Sequence, residues 1–417
     1  MSHSVNRRQA VAWFGAATTG STVVGCGGGG PPPLDEAIAA NLLETTADNE
    51  AATFRSVDRL YPVRPIRRGT RTAALRPHRT SLAALTFPTA RGTTGLDDYM
   101  VRHRCAGLIV LKDGAVALER YAMGNGPGTR WTSFSAAKSL TSTLIGAALQ
   151  DGLIHSLDDP VVRYVAELKG SSYEPNTVRQ LLRMTSGVRW VEDYTAAGDS
   201  DIARLGEAWA SGRAGAVLDL MRSRGRADAP GRSFNYSTGE SYVLGCIVNR
   251  AAGAPLADYL SAKIWQPAGM QDDGYWVLDS VGGLEMGGNN FSATLRDYAR
   301  IGLFMAEGGT TGGQRALPAN WLGTACAPDT PVTGYGALYP GYPLGYGYQW
   351  WCFPSGFGGW PFHDGAFAAI GIFGQFIYIN PRHQVVAAAW HAWREPANEA
   401  SEFELYALLS AAVDALR

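Results

Sequence analysis

Ser135-Ala136-Ala137-Lys138 is the stretch on which the reading of this chain turns. It stands between a run that reads as a β-hairpin and a long apolar helical pattern. Serine is a weak nucleophile until a nearby base takes its proton. A lysine three residues further along a helix lies on the serine's face. Desolvation lowers the pKa of such a lysine and lets it act as that base, whereas an arginine stays charged. The chain has only four lysines, at 112, 138, 169 and 263, among 36 Lys and Arg residues, so a lysine at this place is informative. The four residues taken alone also fit a helix start with a capping serine and a solvated lysine. The residues beyond Lys138 favour the catalytic reading. Leu140, Leu144, Ile145, Ala148 and Leu149 recur at helical spacing, and Asp151-Gly152 ends the pattern. The N–H groups of the first turn also suit a developing oxyanion.

Before this stretch, residues 108–111 and 115–121 flank Lys112-Asp113-Gly114 and read as a hairpin with an Asp-Gly turn. After it, residues 153–284 read mostly as helices and loops, with helical stretches at 177–184 and 242–252. Residues 292–307 read as an amphipathic helix, 366–379 and 384–390 as short strands, and 401–417 as a final helix. The order predicts an α/β chain of the α+β type: an antiparallel sheet flanked by helices, with a largely helical insertion at 153–284. Residues 330–360 are rich in Gly, Tyr and Trp and suit a pocket lining. Trp350 and Trp351 are candidate walls, with core packing as the alternative.

Two further elements complete a constellation. Phe234-Asn235-Tyr236-Ser237-Thr238 lies just before a helix, and a tyrosine beside a serine and a lowered-pKa lysine can pass a proton to a leaving group. Near the C-terminus, His363-Asp364-Gly365 competes with Gly371-Ile372-Phe373-Gly374-Gln375. The second is preferred, because a strand follows it at once and a backbone N–H beside glycine can approach a substrate carbonyl closely. His363 is then a rim residue or a satisfied structural histidine.

Composition bounds the rest. The chain has 417 residues, 46% of them hydrophobic, which is ample for a large core. A net charge of −1 with no basic stripe argues against nucleic acid as a partner. No internal run reaches the roughly 18 apolar residues of a membrane span. Arg7-Arg8, the apolar stretch 10–25 and Val23-Val24-Gly25-Cys26 read as a twin-arginine lipoprotein signal over 1–26, lipidated at Cys26; a cleaved, unlipidated signal is the alternative. A Gly/Pro tether over 27–50 would follow, and then one domain over 51–417. The expected location is exported, with the membrane reached only through Cys26. Cys105, Cys246, Cys326 and Cys352 permit three full pairings, among which sequence does not choose, and Cys105 and Cys246 lie in apolar runs and read as buried thiols. No Cys/His cluster points to a metal.

Taken in this order, the elements resemble the penicillin-recognising serine hydrolases with the class C β-lactamase-like fold, and within them the 6-aminohexanoate-dimer hydrolases and related esterases. The resemblance runs from 53–62 through Ser135-Ala-Ala-Lys-Ser, 177–184, Glu192-Asp-Tyr194, Tyr236-Ser-Thr, 288–302, 348–352 and 370–375. It implies a β-lactamase/transpeptidase-like fold and a serine hydrolase acting on small-molecule esters or amides without a cofactor. Ser135 would be the acylated nucleophile, Lys138 its base partner and Tyr236 the general acid/base. The backbone N–H groups of Ser135 and Ile372 would form the oxyanion hole. Tyr194, Trp350 and Gly371 would contact substrate.

Two departures bear on substrate. Thr238 stands where β-lactamases of this kind carry Asn, and Ala369-Ile370-Gly371 stands where they carry Lys-Thr-Gly. The rival readings are a D-amino-acid-specific peptidase or β-lactamase of the same fold, and a non-catalytic binding protein that keeps the fold. No G-x-S-x-G occurs, which excludes an α/β-hydrolase elbow.

Cys26→Ser is expected to move the protein from the membrane fraction to the soluble fraction of its native host with activity retained. A wild-type protein found wholly in the soluble fraction would overturn the lipid anchor.

Overall fold

The computed structural model describes residues 37–195, 200–327 and 343–417. Its centre is a seven-stranded antiparallel sheet. In spatial order the strands are Gly345–Tyr346, Trp351–Cys352, Phe367–Gly371, Gln375–Asn380, Val385–His391, Cys105–Lys112 and Ala115–Tyr121. The expected hairpin is present, with Lys112 paired to Ala115. Asp113 and Gly114 both have positive φ, as a two-residue turn matching the strand twist requires. Chain-distant strands meet in the middle, where Val385–His391 pairs antiparallel with Cys105–Lys112.

Both faces of the sheet are covered, and the alternation of side chains sorts them. Ile109 and Leu111 point into a core shared with the helices Ala137–Gln150, Thr238–Ala252 and Leu295–Ala306. Leu108 and Val110 point into a second core closed by the C-terminal helix Glu399–Ala415. The helix Leu295–Ala306 lies so close to the sheet that a Cβ on Gly302 would sit 2.4 Å from Val386 Cγ1. The insertion is helical as predicted up to residue 273, where Asp201–Ala210, Ala216–Ser223 and Thr238–Ala252 are its longer helices. It returns in the strand Gly274–Val277, which joins a small antiparallel sheet with Val63–Ile66, Phe291–Thr294 and Arg130–Thr132.

Two expectations need correction. The helix predicted over 292–307 begins only at Leu295; Phe291–Thr294 is a buried strand, and Thr294 caps the helix by accepting the Asp297 N–H. Residues 37–50, expected to close a flexible tether, fold onto the body. Ala39 and Leu42 are buried, Ala39 N–H donates to Thr53 Oγ1 at 2.9 Å, and the Asn41 side chain accepts from the N–H groups of Leu43 and Glu44. The Gly/Pro composition stops at Pro33, and the apolar residues beyond it are enough to bind the arm down. Cys105, Cys246, Cys326 and Cys352 are all free thiols, so none of the three permitted pairings forms, and Cys105 and Cys246 are buried as expected. Cys26 and the tether up to residue 36 lie outside the described residues. No helix among the described residues is long and apolar enough to cross a membrane.

Candidate active site

Ser135 sits in the middle of a tight 3₁₀ turn, Phe134–Ala136, that opens into the helix Ala137–Gln150. The turn is strained, since Phe134 has φ +44°, a region a bulky side chain rarely enters. Its surroundings hold it there. Ser133 N–H donates to Phe291 O at 2.8 Å, Phe291 N–H returns to Ser133 Oγ at 3.1 Å, and Asn290 N–H reaches Phe134 O at 3.3 Å. The Phe134 ring meets Phe54 edge-on at 5.0 Å and packs against Phe373 at 5.2 Å. Ser135 keeps 7% of its surface exposed at the point where two cavities join.

Lys138 follows one turn later and is 1% exposed. Its Nζ donates to Ser135 Oγ at 2.9 Å, to Thr238 Oγ1 at 2.8 Å and to Gly288 O at 2.8 Å. All three acceptors are neutral. Burial lowers its pKa to about 8, against the opposing pull of the Glu192 carboxylate. Gly288 can supply its carbonyl because the backbone lies hard against the helix Thr238–Ala252; a Cβ there would stand 2.6 Å from Thr238 O.

Tyr236 arrives from the loop before that helix, with its ring over Lys138 Nζ at 4.9 Å and its hydroxyl hydrogen-bonded with Ser135. Trp351 stacks on the opposite side at 6.0 Å, and Tyr346 meets it edge-on. Burial, reinforced by Glu192, drives the phenol far above its ordinary pKa. Ser135, Lys138 and Tyr236 are thus brought together as the sequence reading required.

Sequence reasoning gave Glu192 no role, yet it ties this cluster together. Its buried carboxylate accepts from Trp190 Nε1, from the backbone N–H and Oγ1 of Thr238, and from Tyr194 OH at 2.9 Å. The signal was its place two residues before Tyr194, but spacing alone does not reveal four donors converging. Thr238, noted only as a departure from Asn, accepts from Lys138 with the oxygen that donates to Glu192. A hydroxyl serves both roles at once. Asp201 fixes the loop from behind by accepting the Val191 N–H and binding Arg224. Tyr194 lines both cavities.

The preferred C-terminal segment reaches the serine. The strand Phe367–Gly371 ends where a Cβ on Gly371 would be 2.3 Å from Ser133 O and 3.1 Å from Ser135 N. Only glycine permits that approach. Ile372 follows and lines both cavities beside Ser135. The turn after it is pinned by a buried amide: Gln375 Nε2 donates to Phe373 O at 2.9 Å and His391 O at 2.8 Å, while its Oε1 accepts from Trp131 Nε1 at 2.8 Å. His391 Nδ1 contacts Gly374 O at 2.6 Å.

Other candidates fall away from the site. Trp350 is fully buried and packs edge-on against Phe367 at 5.3 Å; it lines neither cavity, so its assignment to substrate is corrected to core packing. It stands just before the strand Trp351–Cys352 and joins the core that holds Phe367 and Ala369, and sequence pattern cannot tell such a core aromatic from a pocket wall. Within the Gly/Tyr/Trp-rich stretch, 328–342 lies outside the described residues, and the described part lines neither cavity. His363 is the satisfied structural histidine. Its ring nitrogens meet Tyr378 OH at 2.9 Å and Tyr406 O at 3.0 Å, and burial lowers its pKa to about 4.

A family model described as Beta-lactamase matches residues 94–411. The chain belongs to the beta-lactamase family. It is 31% identical over 295 residues to 6-aminohexanoate-dimer hydrolase of Paenarthrobacter ureafaciens, covering 69% of this chain and 72% of that one. It is 34% identical over 130 residues to the esterase EstB of Burkholderia gladioli, a match that covers 29% of this chain and 32% of that one. Among solved structures, a Bacillus anthracis protein described as a 6-aminohexanoate-dimer hydrolase superposes with a TM-score of 0.77 over 92% of this chain and 99% of its own, at 21% identity. The expected β-lactamase/transpeptidase-like fold is therefore present, and the chain is a serine hydrolase of this family.

Glu192→Gln is expected to shift the pH profile. Removing the negative charge removes a contribution that favours the Lys138 ammonium, so the Lys138 pKa falls below about 8. The rise of kcat/KM with pH should then begin at lower pH, with a smaller maximum because the amide cannot accept from all the donors. An unmoved ascending limb would show that Glu192 only packs.

Proposed function

We propose that the chain cleaves small esters or amides through a covalent acyl-enzyme on Ser135. The observation that carries this reading is the 2.9 Å contact between Ser135 Oγ and a buried Lys138 whose pKa is lowered to about 8. A lysine in that state holds a useful fraction of free base near neutral pH, while the phenol of Tyr236, pushed far up, keeps its proton. Two groups whose surroundings drive them apart in this way divide into base and acid.

The steps come from the geometry. Ser135 Oγ attacks the substrate carbonyl carbon as its proton passes to Lys138 Nζ. The carbonyl oxygen becomes an oxyanion facing the N–H groups of Ser135 and Ile372. Backbone donors placed so are each worth roughly 10²–10³ in rate. Collapse breaks the bond to the leaving oxygen or nitrogen, which takes the Tyr236 proton, and the Lys138 ammonium reprotonates the phenolate. Water then attacks the acyl-enzyme by the same route in reverse, giving its proton to the restored base and freeing Ser135. The names of the matched relatives, an amide hydrolase and an esterase, agree with both leaving groups.

β-Lactams fit poorly. They carry a carboxylate beside the reacting amide. Ala369, a buried residue, stands where the lysine of Lys-Thr-Gly would be, and no Lys, Arg or His is found among the described residues lining either cavity. Glu402 adds a carboxyl group to the second cavity. A charge-assisted hydrogen bond to a carboxylate is worth about 1.5–3 kcal/mol. Its loss costs roughly ten- to a hundredfold.

Ser135→Ala should abolish turnover and labelling by a fluorophosphonate probe, with the circular dichroism spectrum unchanged; activity within tenfold of wild type would overturn the reading. Lys138→Arg should be nearly as damaging, since arginine cannot serve as the base. Tyr236→Phe should lower the rate by roughly 10²–10⁴.

In a hydrolysis panel, kcat/KM for a short-chain p-nitrophenyl ester should exceed that for every cephalosporin. A cephalosporin turned over faster than all esters and amides would reverse the substrate assignment.

A further inference from the structure

The cleft at Ser135 is divided, and the division assigns its halves. The first and second cavities share Ser135, Tyr194 and Ile372. Tyr236 lines only the second. The leaving atom must receive the Tyr236 proton, so the leaving group extends into the second cavity and the acyl group occupies the first. This step rests on the acyl-enzyme reading of Ser135.

The first cavity has an unusual wall. Leu42 and Leu43 come from the N-terminal arm, which precedes the segment matching the family model. The opposite wall is Ile202, Leu205 and Trp209 from the insertion, with Tyr61 between. Tyr61 and Trp209 stack with ring centroids 4.3 Å apart. Their polar atoms are turned to other work: Tyr61 OH accepts the Leu42 N–H, and Trp209 Nε1 donates to Leu278 O at 2.8 Å. Rings satisfied in this way offer apolar faces to the space between. Asn41, Asn289 and Asn290 add only neutral amides, and no Asp, Glu, Lys, Arg or His is found among the described lining residues. The arm is held by its own turn and by the buried Leu42, while Leu43 stays 45% exposed at the mouth.

We propose that the arm residues Leu42 and Leu43 form the acyl-specificity wall, selecting an uncharged aliphatic acyl group and rejecting one that ends in a charge. Each methylene buried in such a space is worth about 0.8 kcal/mol. A butyryl or hexanoyl group should therefore gain roughly tenfold or more over acetyl. A terminal ammonium cannot be paired there and loses that gain.

The test is a set of p-nitrophenyl esters sharing one leaving group: acetyl, butyryl, hexanoyl and 6-aminohexanoyl. In the wild-type enzyme kcat/KM should rise at least tenfold from acetyl to hexanoyl and fall at least tenfold from hexanoyl to 6-aminohexanoyl. Leu43→Asp places a carboxylate at the mouth and should move the 6-aminohexanoyl to hexanoyl ratio upward by about tenfold. Ile202→Asp on the opposite wall should move it the same way, which keeps the test standing if one variant does not fold. The outcomes separate the acyl wall from the hydrolase reading beneath it. If no ester is turned over and a fluorophosphonate probe does not label Ser135, the hydrolase reading fails and this proposal with it. If the esters are turned over but acetyl equals hexanoyl, or the ammonium ester matches hexanoyl, or both Asp variants leave the ratio unmoved, the acyl wall is refuted and the hydrolase reading stands.

Discussion

The burial of Lys138 is the constraint on which the rest of the site depends. Moving its pKa from 10.5 to about 8 means that the protein disfavours the ammonium by roughly 3 kcal/mol relative to water. Such a group survives inside the fold only if its protons have acceptors, and only if those acceptors are too weak to restore full charge. A hydroxyl on its own helix, a hydroxyl on the helix Thr238–Ala252 and one backbone carbonyl, that of Gly288, meet both conditions. They come from three separate parts of the chain. The packing of those parts against the sheet is therefore what sets the base strength, and the glycines at 287 and 288 let the third part come close enough.

Ser135, the proposed nucleophile, carries a second demand, since it must be presented on a turn that its preceding residue disfavours. Phe134 is held at positive φ by hydrogen bonds on either side of it and by an aromatic cluster of Phe54, Phe134 and Phe373. Phe373 also has positive φ and stands beside Ile372, so the cluster braces both sides of the oxyanion region at once. Gly371 closes the gap between them. Strain stored at two adjacent turns needs a rigid frame. The buried amide of Gln375, linked to Trp131, the Phe373 carbonyl and His391, supplies it.

Much of this was legible in the sequence where local chemistry decides local structure. Asp113-Gly114 announced its hairpin because few other pairs accept two positive φ angles. The helix from residue 137 to 150 was visible in its apolar period, and Ser135, Lys138, Tyr236 and Gly371-Ile372 were visible as spaced motifs. What stayed hidden depends on contacts between distant segments. Glu192 is one carboxylate among 37 acidic residues until Trp190, Tyr194 and Thr238 converge on it. Trp350 looked like a pocket wall because an aromatic buried in the core beside a strand has the same local pattern. The arm at 37–43 looked like a tether because so short an apolar run carries no period; only its contacts with Thr53, Tyr61 and the insertion reveal a wall.

In the proposed mechanism, Glu192 also explains why the base Lys138 and the acid Tyr236 do not simply trade places. Its charge favours the ammonium of Lys138 and disfavours the phenolate of Tyr236, so it opposes burial at the first and adds to it at the second. Without the carboxylate, desolvation alone would lower the lysine further and leave the tyrosine easier to ionise. The two pKa values would both fall, and the proton of Ser135 would have a less definite destination. With it, the lysine remains basic enough to accept a proton at the attack, and the phenol keeps one to give at the collapse. Transfer in both directions needs a base that is partly free at the working pH and an acid that still holds its proton there. Because Thr238 Oγ1 accepts from Lys138 and donates to Glu192, the two hydrogen bonds at that one oxygen set the distance between the charge and the base. Threonine in place of asparagine at this position is thus a working part of the proton circuit.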